Sequence, residues 1–140
     1  MRDLFNNIDP KRAISPVSVA DTTAQVSQII SMAGYQSLTF LILAGAIADA
    51  DATFTVLVEE GDSSTLTDAA AVADVDLLGT EALAAFIFSD DNAIRKIGYI
   101  GSKAYVRMTI TPVANASAAL LAVVAVLGHP QNVPTANPPV

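Results

Sequence analysis

Catalytic and metal-binding side chains are scarce in this sequence. Its 140 residues include one histidine, His129, and no cysteine. Serine-type or cysteine-type catalysis needs a base, usually histidine, beside the nucleophile, and no pattern of residues around His129 supplies that nucleophile. A zinc site built from nitrogen and sulfur has too few ligands for the same reason. We therefore expect a protein that is not an enzyme and holds no cofactor or metal, with His129 in a structural or exposed role.

Carboxylates are the remaining side chains that could do chemistry. Three acidic clusters could offer oxygens to calcium: Asp49 with Asp51, Asp74 with Asp76, and Asp90 with Asp91 and Asn92. None has the spacing of a helix-loop-helix calcium loop, and Asp and Asn are favoured in turns because their side chains bond the nearby backbone. Glu59 and Glu60 are adjacent at a strand end, so their side chains diverge instead of facing each other as in a glycosidase. We interpret all of these residues as turn or strand-end residues.

The densest group of basic residues lies around the pair Gly101-Ser102. Runs rich in aromatic and β-branched residues flank this pair, which is typical of a tight hairpin. Four of the seven basic residues would then lie on two paired strands: Arg95, Lys96, Lys103 and Arg107. They either pair with carboxylates across the sheet or form a patch that orients docking on an acidic partner.

Composition limits the classes of partner. Hydrophobic residues make up 52% of the chain and charged residues 15%, which is apolar for a soluble monomer and predicts that a partner covers some of the surface. The formal net charge of -7 would repel nucleic acid. The longest apolar run, Ala116–Gly128, is too short to span a membrane as a helix, and the first residues lack the apolar core of a signal peptide. We expect no nucleic-acid or membrane partner, and synthesis in a cytoplasm.

Most of the chain has the period of two that is typical of β-strands. Both alternating sets are apolar in SLTFLILAG, from Ser37, which favours a central strand. In ATFTVLVEEGD, from Ala52, one set is apolar and the other polar, and the small acidic residues between these two runs predict a hairpin loop. A further strand is predicted where Ala84, Phe86 and Phe88 alternate.

Two stretches allow more than one interpretation. Asp68 could cap a helical turn over residues 69–73. The apolar run that ends at Gly128 suits a buried strand or a buried helix by period, but its β-branched second half favours a strand. About eight strands separated by Gly, Asn and Asp predict an all-β fold, either an antiparallel β-sandwich or a jelly-roll-like barrel.

Proline-rich ends predict extended arms on this domain. Pro10 and Pro16 fall in residues 1–20, and four prolines fall in the last 12 residues. Proline cannot donate a ladder hydrogen bond and biases its neighbour toward extended conformations. The predicted organisation is an N-terminal arm over 1–20, a β-sandwich domain over 21–128 and a C-terminal arm over 129–140.

Three sequence blocks carry a resemblance to a known group of proteins. The blocks are DAAAVADVDLLGTEA, DDNAIRKIGYIGSKAYVRMTITP and AVLGHP, within a stretch from about Ile14 to Pro130. They resemble small virion proteins of tailed bacteriophages, often encoded beside the major capsid protein. Relatives tend to carry a further basic residue where this chain has Ala104.

The resemblance implies a capsid decoration, or cement, protein: a β-rich module on the outer surface of the shell, often a homotrimer, that clamps neighbouring major capsid protein subunits. The arms and the basic group would make the contacts. The candidate partner-binding residues are Arg2, Phe5, Ile8, Pro10, Ile14, Pro16, Arg95, Lys96, Lys103, Arg107, His129, Pro130, Val133 and Pro134. The alternatives are a phage tail or head-tail joining protein, and a carbohydrate-binding or host-attachment β-sandwich whose three tyrosines would stack on sugars.

Overall fold

Long strands with alternating apolar side chains build this protein, and a computed structural model describes residues 2–140. The five long strands are β1 (Ile8–Val19), β4 (Tyr35–Ile47), β5 (Thr53–Gly61), β10 (Tyr105–Val113) and β11 (Ala119–Pro130). The shorter strands are β2 (Gln25–Val26), β3 (Ile30–Ser31), β6 (Ala70–Ala71), β7 (Leu77–Leu78), β8 (Phe86–Ile87) and β9 (Ile94–Tyr99). One α-helix, α1 (Glu81–Ala84), and three single 3-10 turns (Phe5–Asn7, Asp74–Asp76, Phe88–Asp90) complete the described elements.

The strands form two antiparallel sheets. The five-stranded sheet has the order β1-β11-β4-β9-β7. The six-stranded sheet has the order β2-β10-β5-β6, with β3 also paired to β10 and β8 to β5. Neither sheet closes into a barrel within residues 2–140. The prediction of an all-β antiparallel fold is confirmed, in its sandwich form. No helix of residues 2–140 is long and apolar enough to cross a membrane.

The core lies between the two sheets. On β4, Leu38, Phe40 and Ile42 point inward and are buried, as the alternation predicts, and β4 is the central strand of its sheet. From the other sheet, Phe54 stacks on Phe86 with ring centroids 4.6 Å apart. The run that ends at Gly128 is also a strand, because its β-branched side chains fit a pleated surface.

Both predicted hairpins are wrong. Strands β9 and β10 belong to different sheets, as do β4 and β5, so each connection crosses the sandwich. The connection after β9 folds around Tyr99, whose hydroxyl donates to Glu60 Oε2 at 2.5 Å and accepts from the Lys103 N–H at 3.0 Å. Gly101 lies directly on the Tyr99 side chain, where an added Cβ would stand 2.6 Å from it. This packing replaces the two-residue turn.

The strand predicted through Ala84, Phe86 and Phe88 is only two residues long. Ala84 ends α1, whose first turn is capped by Thr80 Oγ1 accepting from the Leu83 N–H at 3.1 Å. Asp68 caps no helix, because its carboxylate accepts instead from the backbone N–H groups of residues 62 and 63. Short polar side chains in this region bond the local backbone and end each element early.

The N-terminal arm predicted over residues 1–20 is wrong for residues 8–19, which form β1 and pair with β11. Prolines are accepted there because β1 is an edge strand, and the pairing register shifts between Ile14 and Val17, on either side of Pro16. At the other end, residues 129 and 130 belong to β11, and the remaining tail folds back on the N-terminal segment. Thr135 donates its N–H to the Asn6 carbonyl at 3.0 Å and its hydroxyl to the Ile8 carbonyl at 2.6 Å.

Candidate docking surface

The outer side of the five-stranded sheet presents exposed large apolar side chains on several neighbouring strands. The register aligns outward side chains in rows that run across the strands: Arg12–Val124–Leu41–Lys96, Ala122–Leu43–Ile94 and Val126–Thr39–Gly98–Leu78. We call this surface the apolar face. It exists because β4 and β11 are apolar on both sides, whereas a two-layer sandwich covers only one side of each strand.

Large apolar side chains on this face are exposed well beyond the core. Their exposed fractions run from 41% to 65%: Leu43, Leu78, Ile94, Leu120 and Val124. Two glycines let leucines of the neighbouring strands lie across the sheet. An added Cβ at Gly45 would stand 2.9 Å from Leu120 Cβ, and one at Gly98 would stand 2.9 Å from Leu78 Cβ. The apolar surface is therefore continuous across these strands and contains shallow grooves.

The apolar face also has a distinctive charge. None of the outward positions in its rows is Asp or Glu, although the chain contains 14 acidic residues. Arg12 and Lys96 end one row and are both exposed. Neither forms an ion pair within residues 2–140; the Arg12 guanidinium donates to Ser15 Oγ at 2.7 Å. Two cations without carboxylate partners therefore border an apolar strip in an acidic protein.

The outer side of the six-stranded sheet is different, and we call it the threonine face. Its outward residues on β5 and β10 include Thr53, Thr55, Leu57, Glu59, Arg107, Thr109 and Thr111. Arg107 and Glu59 are opposite each other across the two strands, with Nε and Oε2 2.8 Å apart. Four large apolar side chains are also exposed on this surface, but a threonine separates the members of each row: Thr109 lies between Val26 and Leu57, and Thr53 lies between Ile87 and Val113. The polar groups thus interrupt the apolar ones along both strands, and the ion pair is satisfied.

The four basic residues predicted to form one patch are separated. Arg107 is on the threonine face, and Lys103 pairs with Asp62 at 2.7 Å in the crossing connection. Arg95 pairs with Asp90 at 2.7 Å at the start of β9. Pairing with a carboxylate across two strands, the first interpretation of this group, describes Arg107, whereas Arg95 and Lys103 pair with carboxylates that lie outside the strands. Lys96 alone remains unpaired, and it lies on the apolar face.

The residues predicted as arm contacts fall in three places. Ile8 and Pro10 on β1 point to the apolar side, Ile8 lies next to His129 and Pro130 at the end of β11, and Ile14 is buried at 8% exposure. Exposed or half-exposed positions at the edges are Arg2, Phe5, Pro16, Val133 and Pro134. Pro16 lines a groove of the apolar face with Leu43 and Leu120. The structure thus brings some of the predicted contact residues together and buries one of them, Ile14.

His129 is exposed, but it has a hydroxyl neighbour that the sequence did not indicate. Ser37 Oγ lies 2.7 Å from His129 Nδ1, because Ser37 and Gly128 are paired across β4 and β11. No carboxylate within residues 2–140 hydrogen-bonds the other ring nitrogen, so the group that orients the base in a catalytic triad is missing from this pair.

Two of the three acidic clusters, Asp49 with Asp51 and Asp90 with Asp91, have carboxylates that accept from backbone N–H groups at turns. Asp49 accepts from the Ala116 N–H at 2.8 Å, Asp91 from the Ile47 N–H at 2.8 Å, and Asp90 from the Ile87 N–H at 3.0 Å. The Ile87 N–H, with Arg95, lowers the pKa of Asp90 below its ordinary value. Within residues 2–140, no three His, Asp or Glu side chains are grouped so that they could hold a metal ion.

The three tyrosines are not equivalent as sugar platforms. Burial raises the pKa of Tyr99, which lies in the core with its hydroxyl bonded to Glu60. Burial also raises the pKa of Tyr35 to about 12, and its hydroxyl donates to Asp9 Oδ2 at 2.8 Å. Tyr35 and Tyr105 line one open cavity of about 390 Å³ with Gln36. Two of the three rings therefore remain available.

Sequence reasoning missed the residues at the centre of the apolar face, such as Leu43, Ile94 and Val124. The signal was present in the two runs with apolar residues on both alternating sets. Two-sided apolar character predicts a central strand, which is correct for β4. The same character also predicts an uncovered apolar surface once the protein has only two layers.

Comparison with known proteins supports the fold. No protein-family model and no curated protein matches the chain. Among solved structures, PBSX exported protein XepA aligns with 85% of this chain at a TM-score of 0.53 and 14% identity. The aligned region is 36% of XepA, so this chain spans about a third of that protein. This similarity shows a shared fold.

Two further solved structures align with lower TM-scores. SPBc2 prophage-derived protein YomS covers 84% of this chain and 94% of its own at a TM-score of 0.43 and 11% identity. A chain in the capsid of Ralstonia phage GP4 aligns over 91% of this chain and 88% of its own length, at a TM-score of 0.48 and 9% identity.

Proposed function

We propose that this protein is a non-enzymatic structural component of a tailed-phage particle that decorates the outer surface of the capsid and stabilises it by clamping neighbouring capsid subunits. Three blocks of sequence resemblance, from Asp68 to Pro130, support this class of protein. The single observation that carries the proposal is the apolar face, because an exposed apolar sheet surface of this kind marks a site of protein association.

The apolar face would provide the main contact with the shell. Binding energy at protein interfaces is concentrated in a few central apolar anchors that become fully desolvated. Leu43 is the central anchor candidate, because it lies between Ala122 and Ile94 in its row and is 53% exposed. Burying it and its neighbours on a capsid subunit would remove the apolar surface that the chain leaves in water.

A clamp also needs a second contact, on a neighbouring subunit. Residues 2–7 and 131–140 pack on each other beside β1, and Phe5 and Val133 are 66% and 60% exposed there. Both segments border the apolar face at its β1 edge. A capsid subunit adjacent to the one bound by the apolar face would therefore contact them. A homotrimer would multiply these contacts and strengthen attachment without new chemistry.

The test uses purified shells that lack this protein. We expect Leu43→Asp to weaken shell binding by about thirtyfold or more, because a charge at an interface anchor costs at least about 2 kcal/mol. The matched control is Leu57→Asp on the threonine face, which should change binding less than about threefold. Bound protein should also raise the temperature at which the shells break. Absence of wild-type binding to any such shell would contradict the proposal.

A second test addresses the tail. Deleting residues 131–140 removes the Thr135 hydrogen bonds and the exposed Val133 but leaves both sheets intact. We expect the truncated protein to bind shells and to stabilise them less, since one contact of the clamp is gone. Equal stabilisation of shells by the truncated and full chains would show that the tail is not a contact of the clamp.

A carbohydrate-binding role is the second candidate, because Tyr35 and Tyr105 line one cavity with Gln36. Aromatic rings beside amide groups suit sugar recognition. A glycan array probed with wild-type protein and with Tyr105→Ala tests it directly. Hits that disappear in the variant would favour this function, and an array without hits would remove it.

A further inference from the structure

We propose that the apolar face recognises a protein surface with an apolar centre bordered on two sides by carboxylates. This inference rests on the proposed function, in which that surface belongs to a capsid subunit. It adds the chemistry and the orientation of the contact: the five-stranded sheet faces the shell and the threonine face points to solvent.

The distribution of cations carries the inference. Four of the seven basic side chains are paired with carboxylates of this chain at 2.7–2.9 Å: Lys11, Arg95, Lys103 and Arg107. Of the remaining three, Arg12 and Lys96 lie in one row of the apolar face. A chain with a net charge of -7 has therefore left two cations without a carboxylate partner within residues 2–140, on the sheet surface whose outward rows carry no Asp or Glu.

The geometry of the row sets the spacing of the partner groups. Arg12 on β1 and Lys96 on β9 are separated by β11 and β4, which place Val124 and Leu41 between them. Adjacent strands are about 4.8 Å apart, so the two backbone positions are roughly 14 Å apart across the sheet. A complementary surface would present carboxylates at about this separation, with apolar side chains between them.

A second copy of this chain is a poorer match for this face. Two copies packed face to face would bring two sets of cations together over an apolar strip, with no carboxylate from either copy to neutralise them. Like charges brought together at an interface oppose association. An acidic partner gains instead from the attraction, which orients the encounter and raises the association rate.

Charge variants test the inference on purified shells. The double variant Arg12→Gln with Lys96→Gln removes both of these cations; the control Lys103→Gln with Arg107→Gln removes the same charge elsewhere. At about 0.1 M salt we expect the first pair to slow association about threefold to tenfold, and the control to change it less than about twofold. Raising the salt to about 1 M shortens the screening length from about 10 Å to about 3 Å and should abolish the difference.

Charge reversal and self-association measurements complete the test. Arg12→Glu with Lys96→Glu should slow association more than the neutral pair, while thermal unfolding confirms that each variant is folded. Equal rates for all variants, with the wild type still bound to shells, would overturn the inference and leave the proposed function standing. A wild-type oligomer that Leu43→Asp dissociates in the absence of shells would also overturn it, since a second copy would then cover the face. Wild type that fails to bind shells would overturn the proposed function itself.

Discussion

The two outer surfaces of this sandwich expose different chemistry from the same strand geometry. The apolar face presents leucine, isoleucine and valine, together with two cations that have no carboxylate partner. The threonine face presents hydroxyl groups that separate its exposed apolar side chains, and a satisfied ion pair between Arg107 and Glu59. Strand β5 is apolar on its inner side and, apart from Leu57, polar on its outer side. Strands β4 and β11 are apolar on both sides, so their outer residues serve something other than the fold.

The inner and outer residues of β4 should differ most in their effect on the free energy of unfolding. Phe40 is fully buried, and Phe40→Ala should lower the free energy of unfolding by about 3–5 kcal/mol because it leaves a cavity. Leu41→Ala, at the next residue but on the apolar face, should cost less than about 1 kcal/mol. Urea denaturation followed by circular dichroism measures both. Similar losses would mean that Leu41 is covered within the chain and that the face is not free.

The crossing connection provides a second test, since it decides which side chains reach each face. Tyr99→Phe removes the hydroxyl that joins Glu60 to the Lys103 N–H across the two sheets. We expect a loss of about 1–2 kcal/mol in unfolding free energy. The matched control is Tyr105→Phe, a half-buried tyrosine of the threonine face, with a loss below about 0.5 kcal/mol. Equal losses in the two variants would contradict the bridging role of Tyr99.

Acid should destabilise the protein through groups outside the apolar face. Lys103 lowers the pKa of Asp62, the Asp62 N–H lowers that of Asp68, and the Ile87 N–H lowers that of Asp90. A carboxyl whose pKa is lower in the folded state stabilises the fold above its unfolded value of 3.8 and loses this contribution as the pH falls through the folded value. The unfolding free energy should therefore decrease below about pH 4. Asp90→Asn should flatten that decrease in urea titrations, and an unchanged pH profile would count against these contacts.

Cations on the two faces should contribute differently to the free energy of unfolding, and this difference should be smaller than the three effects above. Arg107→Gln breaks the partly buried pair with Glu59 and should cost about 0.2–1 kcal/mol at low salt. Lys96→Gln breaks no pair and should leave the unfolding free energy unchanged within error. A stability loss for Lys96→Gln would indicate an internal partner and would weaken its assignment to docking.

Local sequence was enough for the long central strands and insufficient for the edge strand β1 and for the placement of strands in the two sheets. Alternation correctly indicated the buried set of β4, because side-chain direction alternates residue by residue along a strand. The β-branched residues correctly indicated the strand character of β11. The two predicted hairpin connections are wrong because turn-like residues do not reveal whether the next strand joins the same sheet. The burial of Tyr99, which decides the crossing after β9, depends on Glu60 from a distant strand.

The candidate surface was predictable only in part. The apolar composition predicts that a partner covers part of the surface. The strands with apolar residues on both alternating sets contain the centre of the apolar face. Arg12 and Lys96 could not be associated from the sequence, because their row depends on the pairing of four strands that are far apart along the chain. The proline-rich N-terminal stretch was predicted as an arm because proline content says nothing about whether a sheet edge is available to accept it.

Electron cryomicroscopy of shells saturated with the protein would show which outer surface of the sandwich contacts the shell. We expect density for the protein with the five-stranded sheet against the shell, Leu43 buried, and the threonine face open to solvent. Protein bound with the threonine face toward the shell, or shells without added density, would contradict this expectation.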